Sequence, residues 1–468
     1  DVYKRQEYIH RPKKEYSLVQ TFFHSLLTVL MQTLQQLQSG QLHGSKSIKL
    51  SCGLSEFPSE IFELADTLEI LDLSGNKLSS LPADFGRLKN LKIAFFSDNY
   101  FTEYPTVLAS CPHLEMVGFK ANQIVSIPTE ALSSHLRWLI LTNNRIESIP
   151  ASIGKCTRLQ KCMLAGNRLK ELPIEMANCK NIELLRISAN RFEALPSWLL
   201  SLPKLSWLAI AGNPFCQESQ RQDHLAEIAW EDLEIKEQLG EGASGNISKA
   251  VWQKQPPLEV AVKIFKGEVT SDGLPSDEMK ATIAASTHPN LVEVLGKINH
   301  HPELKQGLVL ALIPSHYTNL ALPPSYESCT RDNYTKGTSF TVNALVNIAA
   351  GMASVCTHLH ARGLMHGDFY AHNILIDHEA NALLGDFGAG VSYDINSEVA
   401  PALERLEVRA YGCLLEDLLN HITSTDADLS IVKNFTQLKN DCMQAEVMKR
   451  PGFVEISKRI QALVPISN

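Results

Sequence analysis

At 468 residues the chain has room for two or three domains, each with a core of its own. Its formal net charge of −8 leaves no basic excess to neutralise phosphates, which argues against nucleic acid as a partner. The ten cysteines are scattered with no Cys-x-x-Cys pair, so neither a zinc ribbon nor a dithiol centre is indicated, and a reduced, cytoplasmic setting is the simplest reading.

The first methionine is Met31, and Asp1-Val2-Tyr3-Lys4-Arg5-Gln6 resembles the in-frame translation of an adapter end. Residues 1–30 are therefore expected to be a non-native or disordered leader. Arg11-Pro12-Lys13-Lys14 ahead of the apolar run from Leu18 to Leu30 would suit a targeting segment, but Gln20 and His24 interrupt the run, which is short of a membrane span and has no small-residue cleavage site. No membrane partner is expected.

From about Ser47 to Cys216 the chain repeats itself. Leu68-x-x-Leu71-x-Leu73-x-x-Asn76-x-Leu78 recurs with asparagines at 76, 99, 122, 144, 167, 190 and 213, spaced 22 or 23 residues apart. These units resemble leucine-rich repeats, with Ile48 to Leu54 as a degenerate opening cap. One repeat has too little apolar surface for a core, but stacking would place Leu71, Ala94, Val117, Leu139, Cys162, Leu185 and Leu208 in one buried row. The asparagines would satisfy backbone groups that each bend leaves unpaired, and Pro82, Pro105, Pro128, Pro150, Pro173 and Pro196 would sit where no donor is needed. Cys111, Cys156 and Cys179 fall at one repeat position that Ala65 and Leu88 occupy elsewhere, so they read as small core residues rather than ligands.

The outward-facing rows are Ile70, Ile93, Met116, Trp138, Lys161, Leu184 and Trp207, then Asp72, Phe95, Gly118, Ile140, Met163, Arg186 and Ala209. Such an apolar concave face is expected to dock a protein partner or substrate, or the chain's own second domain.

A short polar linker, residues 217–229, leads to Leu239-Gly240-Glu241-Gly242-Ala243-Ser244-Gly245-Asn246-Ile247. Gly240, Gly242 and Gly245 have the G-x-G-x-x-G spacing that lets backbone amides approach phosphate oxygens, a pattern that dinucleotide folds share. What decides is the β-patterned Val260-Ala261-Val262-Lys263-Ile264-Phe265, whose lysine among apolar neighbours needs an anionic partner. Glu278 is the expected carboxylate and Asp277 a poorer second choice.

Further on stands His366-Gly367-Asp368-Phe369-Tyr370-Ala371-His372-Asn373, then Gly385-Asp386-Phe387-Gly388. Asn373 and Asp386 can offer oxygen ligands to Mg²⁺ on a nucleotide triphosphate, leaving Asp368 to orient a hydroxyl or take its proton. His358, His360, His366 and His372 fit a helix end plus this loop better than a metal site.

With the glycine loop, strand lysine, helix glutamate, His288-Pro289-Asn290-Leu291, the Asp368 loop and Asp-Phe-Gly in order, residues 230–465 resemble the protein-kinase superfamily. Together with the repeats the chain looks like a bacterial-type leucine-rich repeat protein kinase. The implied architecture is an α/β leucine-rich-repeat solenoid, or horseshoe, over residues 47–216, followed by an α+β bilobal protein-kinase-like fold.

By this resemblance ATP and Mg²⁺ would be the cofactors. Glu241, Ala243 and Ile247 would line the nucleotide with the loop glycines, Lys263 would hold the α/β-phosphates, Ala261 would line the adenine pocket, and Leu310 to Ile313, Leu312 among them, would form the interlobe hinge. Asp368 would be the base, and Asn373 and Asp386 the metal ligands.

Three departures from the family pattern stand out. Gly367 replaces an arginine, which makes control through a phosphorylated activation loop unexpected. Tyr370 replaces a lysine that steadies the transferring phosphate, so the charge must be met elsewhere, with His372 a candidate. The segment after Asp386 is short, with Ala400-Pro401-Ala402-Leu403-Glu404 a broken Ala-Pro-Glu ahead of a helix expected from Glu407 to Asn420. Arg450 is expected to pair with Glu404 or Glu407 in place of the missing glutamate. The sequence thus points to a kinase acting on a protein hydroxyl, against a small-molecule phosphotransferase or a near-silent scaffold.

Overall fold

The computed structural model describes residues 32–216, 225–423 and 429–463. The expected leader and residues 217–224 of the expected linker lie outside these. The chain divides into two compact units, one reaching Ile182 and including Asn190–Phe192, the other comprising Glu183–Ala189 and the chain from Glu193 onward.

The first unit holds a short helix, α1 (Leu34–Gln38), capped reciprocally by Thr33 and Gln36. Six three-residue strands follow: β1 (Ser47–Lys49), β2 (Ile70–Asp72), β3 (Ile93–Phe95), β4 (Met116–Gly118), β5 (Trp138–Ile140) and β6 (Lys161–Met163). Each pairs in parallel with the next, in a register that sets Leu71 beside Ala94, Val117, Leu139 and Cys162. All five are buried.

The asparagines hold the turns through both ends of the amide. Asn76 Oδ1 accepts from the Leu54 amide at 3.0 Å, while Nδ2 donates to the carbonyls of Leu50 and Leu73 at 2.8 and 2.9 Å. The convex side carries 3₁₀ turns rather than α-helices, because a 22- or 23-residue period leaves only about five residues there and a proline opens each turn. The Ile153 and Met176 amides return to the carbonyls of Pro150 and Pro173 at 3.0 Å. Cys111, Cys156 and Cys179 are buried free thiols, and burial pushes the Cys111 and Cys156 thiols up to about 11.

The second unit begins with the parallel pair β7 (Leu184–Arg186) and β8 (Trp207–Ala209), which aligns Leu185 with Leu208. Then come β9 (Glu227–Ala229), β10 (Leu233–Glu241), β11 (Gly245–Trp252), β12 (Leu258–Phe265), β13 (Val294–Asn299) and β14 (Gly307–Ala311), forming one sheet in the order β10-β11-β12-β14-β13-β9. Strand β9 falls in the stretch expected to be linker. It pairs with β13 because Ile228 completes the cluster of Leu233, Val260, Val262, Ile298 and Val309. Helix α2 (Pro275–Ala285) packs beside this sheet, its Met279 joining Phe265 and Leu308.

The rest is mainly helical. Helix α3 (Val342–Ala361) is long and apolar enough to cross a membrane, but Leu345, Ile348, Met352, Val355 and Leu359 are fully buried in the protein core. Strands β15 (Thr318–Asn319), β16 (Leu364–Met365), β17 (Ile374–Ile376), β18 (Ala382–Leu384) and β19 (Val391–Ser392) frame the loops that carry the site. Helices α4 (Ala400–Asn420), α5 (Leu429–Cys442) and α6 (Phe453–Gln461) complete the unit. Helix α4 starts at Ala400 rather than Glu407: Pro401 sits in its first turn, where a missing N–H costs nothing, so the Ala-Pro-Glu-like stretch is itself helical.

Candidate active site

Strand register builds the first half of the site. Ile247 lies between Gly240 of β10 and Lys263 of β12, so the glycine-bearing hairpin and the lysine are fixed to each other by backbone pairing. A Cβ on Gly245 would come within 2.5 Å of the Ile264 carbonyl oxygen, whereas nothing stands within 4 Å of one on Gly240. The hairpin thus hugs β12 at one glycine and leaves open space at another. Gly242 closes the turn by donating to the Gly245 carbonyl at 2.9 Å, with Ala243 in between, and Lys266 reaches Glu241. Ala261 pairs with Leu310 on β14, and Leu312 is half-buried just beyond.

Lys263 forms an ion pair with Glu278 of α2, and both side chains are largely withdrawn from water. Asp277 instead faces the turn at Gly212.

The second half is the loop between β16 and β17. Asn373 Nδ2 donates to both the Asp368 carbonyl and Oδ2 at 2.9 Å, which leaves its Oδ1 as the lone-pair donor. Asp386 has a left-handed backbone, φ +58°, unusual for a residue with a Cβ. His366 bridges the two motifs: Nδ1 accepts from the Asp368 amide at 3.3 Å, Nε2 donates to the Gly385 carbonyl at 2.9 Å, and Phe387 packs on the ring. That pattern requires a neutral imidazole, and burial pushes the ring pKa below its ordinary value. Asn290 of the His-Pro-Asn-Leu stretch ties in here through its side chain to the Ala382 carbonyl at 2.9 Å.

Glu407 anchors the loop from below. Only 1% exposed, it accepts from the Gly367 amide at 2.8 Å, the His366 amide at 3.2 Å and His360 Nε2 at 2.8 Å. The expected pairing of Arg450 with Glu404 or Glu407 is therefore overturned. Glu404 accepts instead from the Phe453 amide at 2.8 Å. Arg450 donates to three carbonyls, those of Gln444, Arg405 and Pro203, at 2.8 to 3.0 Å. With no carboxylate paired to it among the described residues, burial and then the charge of Arg409 pull it down to about 10.

His372 is held by Asp332, which accepts from its Nδ1 at 2.6 Å. His358 bonds the Ala285 carbonyl and His360 the Tyr393 hydroxyl, so each histidine of this region has a packing or orienting partner.

Two residues that the sequence marks only as outward positions of the repeats also reach this loop. Arg186 of β7 forms an ion pair with Asp368, donates to the Gly367 carbonyl at 2.9 Å and lies 2.8 Å from Asp272. Trp207 of β8 stacks on Tyr370 with centroids 4.2 Å apart and 6° between planes, and donates to the Phe369 carbonyl at 2.9 Å. The only prior signal was the pair of departures at 367 and 370.

Comparison with known proteins identifies both parts of the chain. Residues 233–429 match the family described as protein tyrosine and serine/threonine kinase, and residues 67–88 and 135–156 match the leucine-rich repeat family. The chain carries leucine-rich repeats and a protein-kinase domain. The chain is similar to a probable serine/threonine-protein kinase of Dictyostelium discoideum, at 29% identity over 202 residues, 43% of this chain and 11% of that protein. It is likewise similar to the probable serine/threonine-protein kinase gdt4 of the same organism, at 24% over 247 residues, 50% of this chain and 14% of the relative. A third relative, from Arabidopsis thaliana, is described as a probable inactive L-type lectin-domain containing receptor kinase, at 28% over 192 residues, 39% of this chain and 28% of the relative. The chain thus spans between 11% and 28% of the length of these relatives.

Proposed function

We propose that the chain is an ATP- and Mg²⁺-dependent protein kinase that phosphorylates a protein hydroxyl, of serine or threonine rather than tyrosine, with the repeats as the module that binds a protein partner. The observation that carries this reading is the coexistence of the Lys263–Glu278 ion pair with the Asp368–Asn373 hydrogen bonds. Together they supply a phosphate-binding cation and an oriented carboxylate, the two groups a phosphotransferase needs.

The donor set suits the cofactor. Asn373 has its Oδ1 directed away from Asp368, and a second carboxylate, Asp386, follows on a strained backbone, so oxygen ligands are available for a hard dication. Bound Mg²⁺ would neutralise charge on the triphosphate. Lys263, set by Glu278, would bind phosphate oxygens, and the amides of the Gly240–Gly245 turn would do so at close range. Asp368 would accept the hydrogen bond of the incoming hydroxyl and then its proton, while Asn373 keeps the carboxylate oriented. The preference for serine or threonine follows the relatives, which are probable serine/threonine-protein kinases.

The test is incubation of the purified protein with labelled ATP, Mg²⁺ and a cell lysate. Label in protein bands that falls by about 10² to 10⁴ in Asp368→Ala supports the reading. Label confined to small molecules would favour a different acceptor, and absence of turnover would leave a scaffold.

A further inference from the structure

We propose that the sixth and seventh asparagine-bearing repeats are a built-in pseudosubstrate: Arg186 and Trp207 close the acceptor side of the catalytic loop while the nucleotide side stays assembled. This rests on the kinase reading of Asp368.

The closure is specific in its chemistry. Both oxygens of Asp368 are engaged, Oδ1 by the Arg186 guanidinium and Oδ2 by Asn373. A cation on the accepting oxygen lowers its affinity for a proton and fills the place a substrate hydroxyl must take. Arg186 is itself only 2% exposed and Trp207 equally so, with the indole lying flat on Tyr370. The stacked pair stands beside the loop on the side an acceptor must approach, and only 15% of the Asp368 side chain stays exposed.

The loop is shaped to receive the repeats. Gly367 has φ +72°, and a Cβ there would come within 2.6 Å of the Leu208 carbonyl and 2.7 Å of the Ala389 carbonyl. Both contacts are backbone, so a side chain at 367 would drive β8 off the loop. The contact is also pinned at its rim, where Arg409 and Arg450 both donate to the Pro203 carbonyl, at 3.2 and 2.8 Å, and Thr330 bonds Glu183.

The nucleotide side keeps its ion pair with this closure in place. The Lys263–Glu278 pair is formed, and Arg186 reaches Asp272 in the turn preceding α2, close to Gly388. Binding of MgATP and transfer of its phosphate are therefore separable in this protein: the first is available with the repeats in place, the second requires Arg186 and Trp207 to leave the loop.

The experiment uses the full chain, with Arg186→Ala, Trp207→Ala and the double variant, casein as a generic acceptor, and hydrogen exchange of the segment 364–375 read by mass spectrometry. Trp207→Ala keeps the Arg186 ion pairs and is read by loop exchange, so the coverage of the loop stays testable if Arg186→Ala fails to fold. Expected are a rise in kcat of about tenfold or more, a KM for ATP within about twofold of wild type, and faster exchange of the loop. In Arg186→Ala or the double variant, a kcat that falls or stays level overturns the proposal, since it would make Arg186 a support for the loop rather than a block. Should no protein transfer phosphate although MgATP binds, the kinase reading fails, and unchanged exchange in the variants would separately overturn the coverage of the loop.

Discussion

Replacing Glu407 by glutamine removes one charge from the centre of the site without changing its size. Its carboxylate receives two backbone amides, from His366 and Gly367, and one imidazole N–H. Hydrogen bonds to a charged group contribute about 1.5 to 3 kcal/mol each, but they share one anchor and do not add. Removing one partner of a buried charged pair costs about 3 to 5 kcal/mol, an upper bound here because the amide keeps one acceptor oxygen. A loss of about 2 kcal/mol corresponds to a fall in Tm of about 4 to 8 °C, given about 2 to 4 °C per kcal/mol for units of this size. The amide's NH₂ must also face an N–H donor, which displaces the loop, and an ångström of displacement can lower kcat by about 10²-fold. Calorimetry at pH 7.5, alongside steady-state kinetics with ATP, tests both. A Tm within about 1 °C of wild type together with an unchanged kcat would refute the claim that this carboxylate positions the catalytic loop.

The same carboxylate and its neighbour set a pH dependence. Burial alone would raise the Glu407 pKa, yet the hydrogen bond and charge of His360, with His366 and the Gly367 amide, hold it below its ordinary 4.5, so its contribution is present above that value and lost as pH falls through the folded one. Burial holds His366 below its ordinary 6.5; because the unfolded chain then binds the extra proton, stability should decline already as pH drops below 6.5, and a pH series of melting curves in which His366→Gln removes that first decline would bear this out. Gly245→Ala should push the hairpin off the Ile264 carbonyl, 2.5 Å from the new Cβ, costing about 1 to 3 kcal/mol and raising the KM for ATP; an unchanged KM would count against the close approach. Asn122→Ala should strip the amide from the bonds to Phe101 N and the Phe96 carbonyl, at 3.0 and 2.9 Å, and lower stability by about 2 to 4 kcal/mol in urea denaturation without touching kinase turnover.

The sequence determined what depends on local pattern. The repeat period placed the leucine row and the asparagines, since each turn of a solenoid contacts only its neighbours and so repeats its spacing in the chain. Alternation along Val260 to Phe265 placed Lys263, and Glu278 followed because a half-buried ammonium needs a nearby anion. What it could not determine was any partnership resting on a single long-range approach. Arg186 and Asp368 stand 182 positions apart, and nothing in the repeat marks that arginine among the other outward residues. Arg450 was given a carboxylate by analogy, but the fold brought three carbonyl oxygens to it and turned Glu407 to the catalytic loop, where two amides had no other acceptor. Gly367 shows the division most plainly: the sequence registers only that a side chain is missing, and the backbone of β8 passing 2.6 Å from where it would begin supplies the reason, because close approach of two chains is a property of their packing and leaves no period to read.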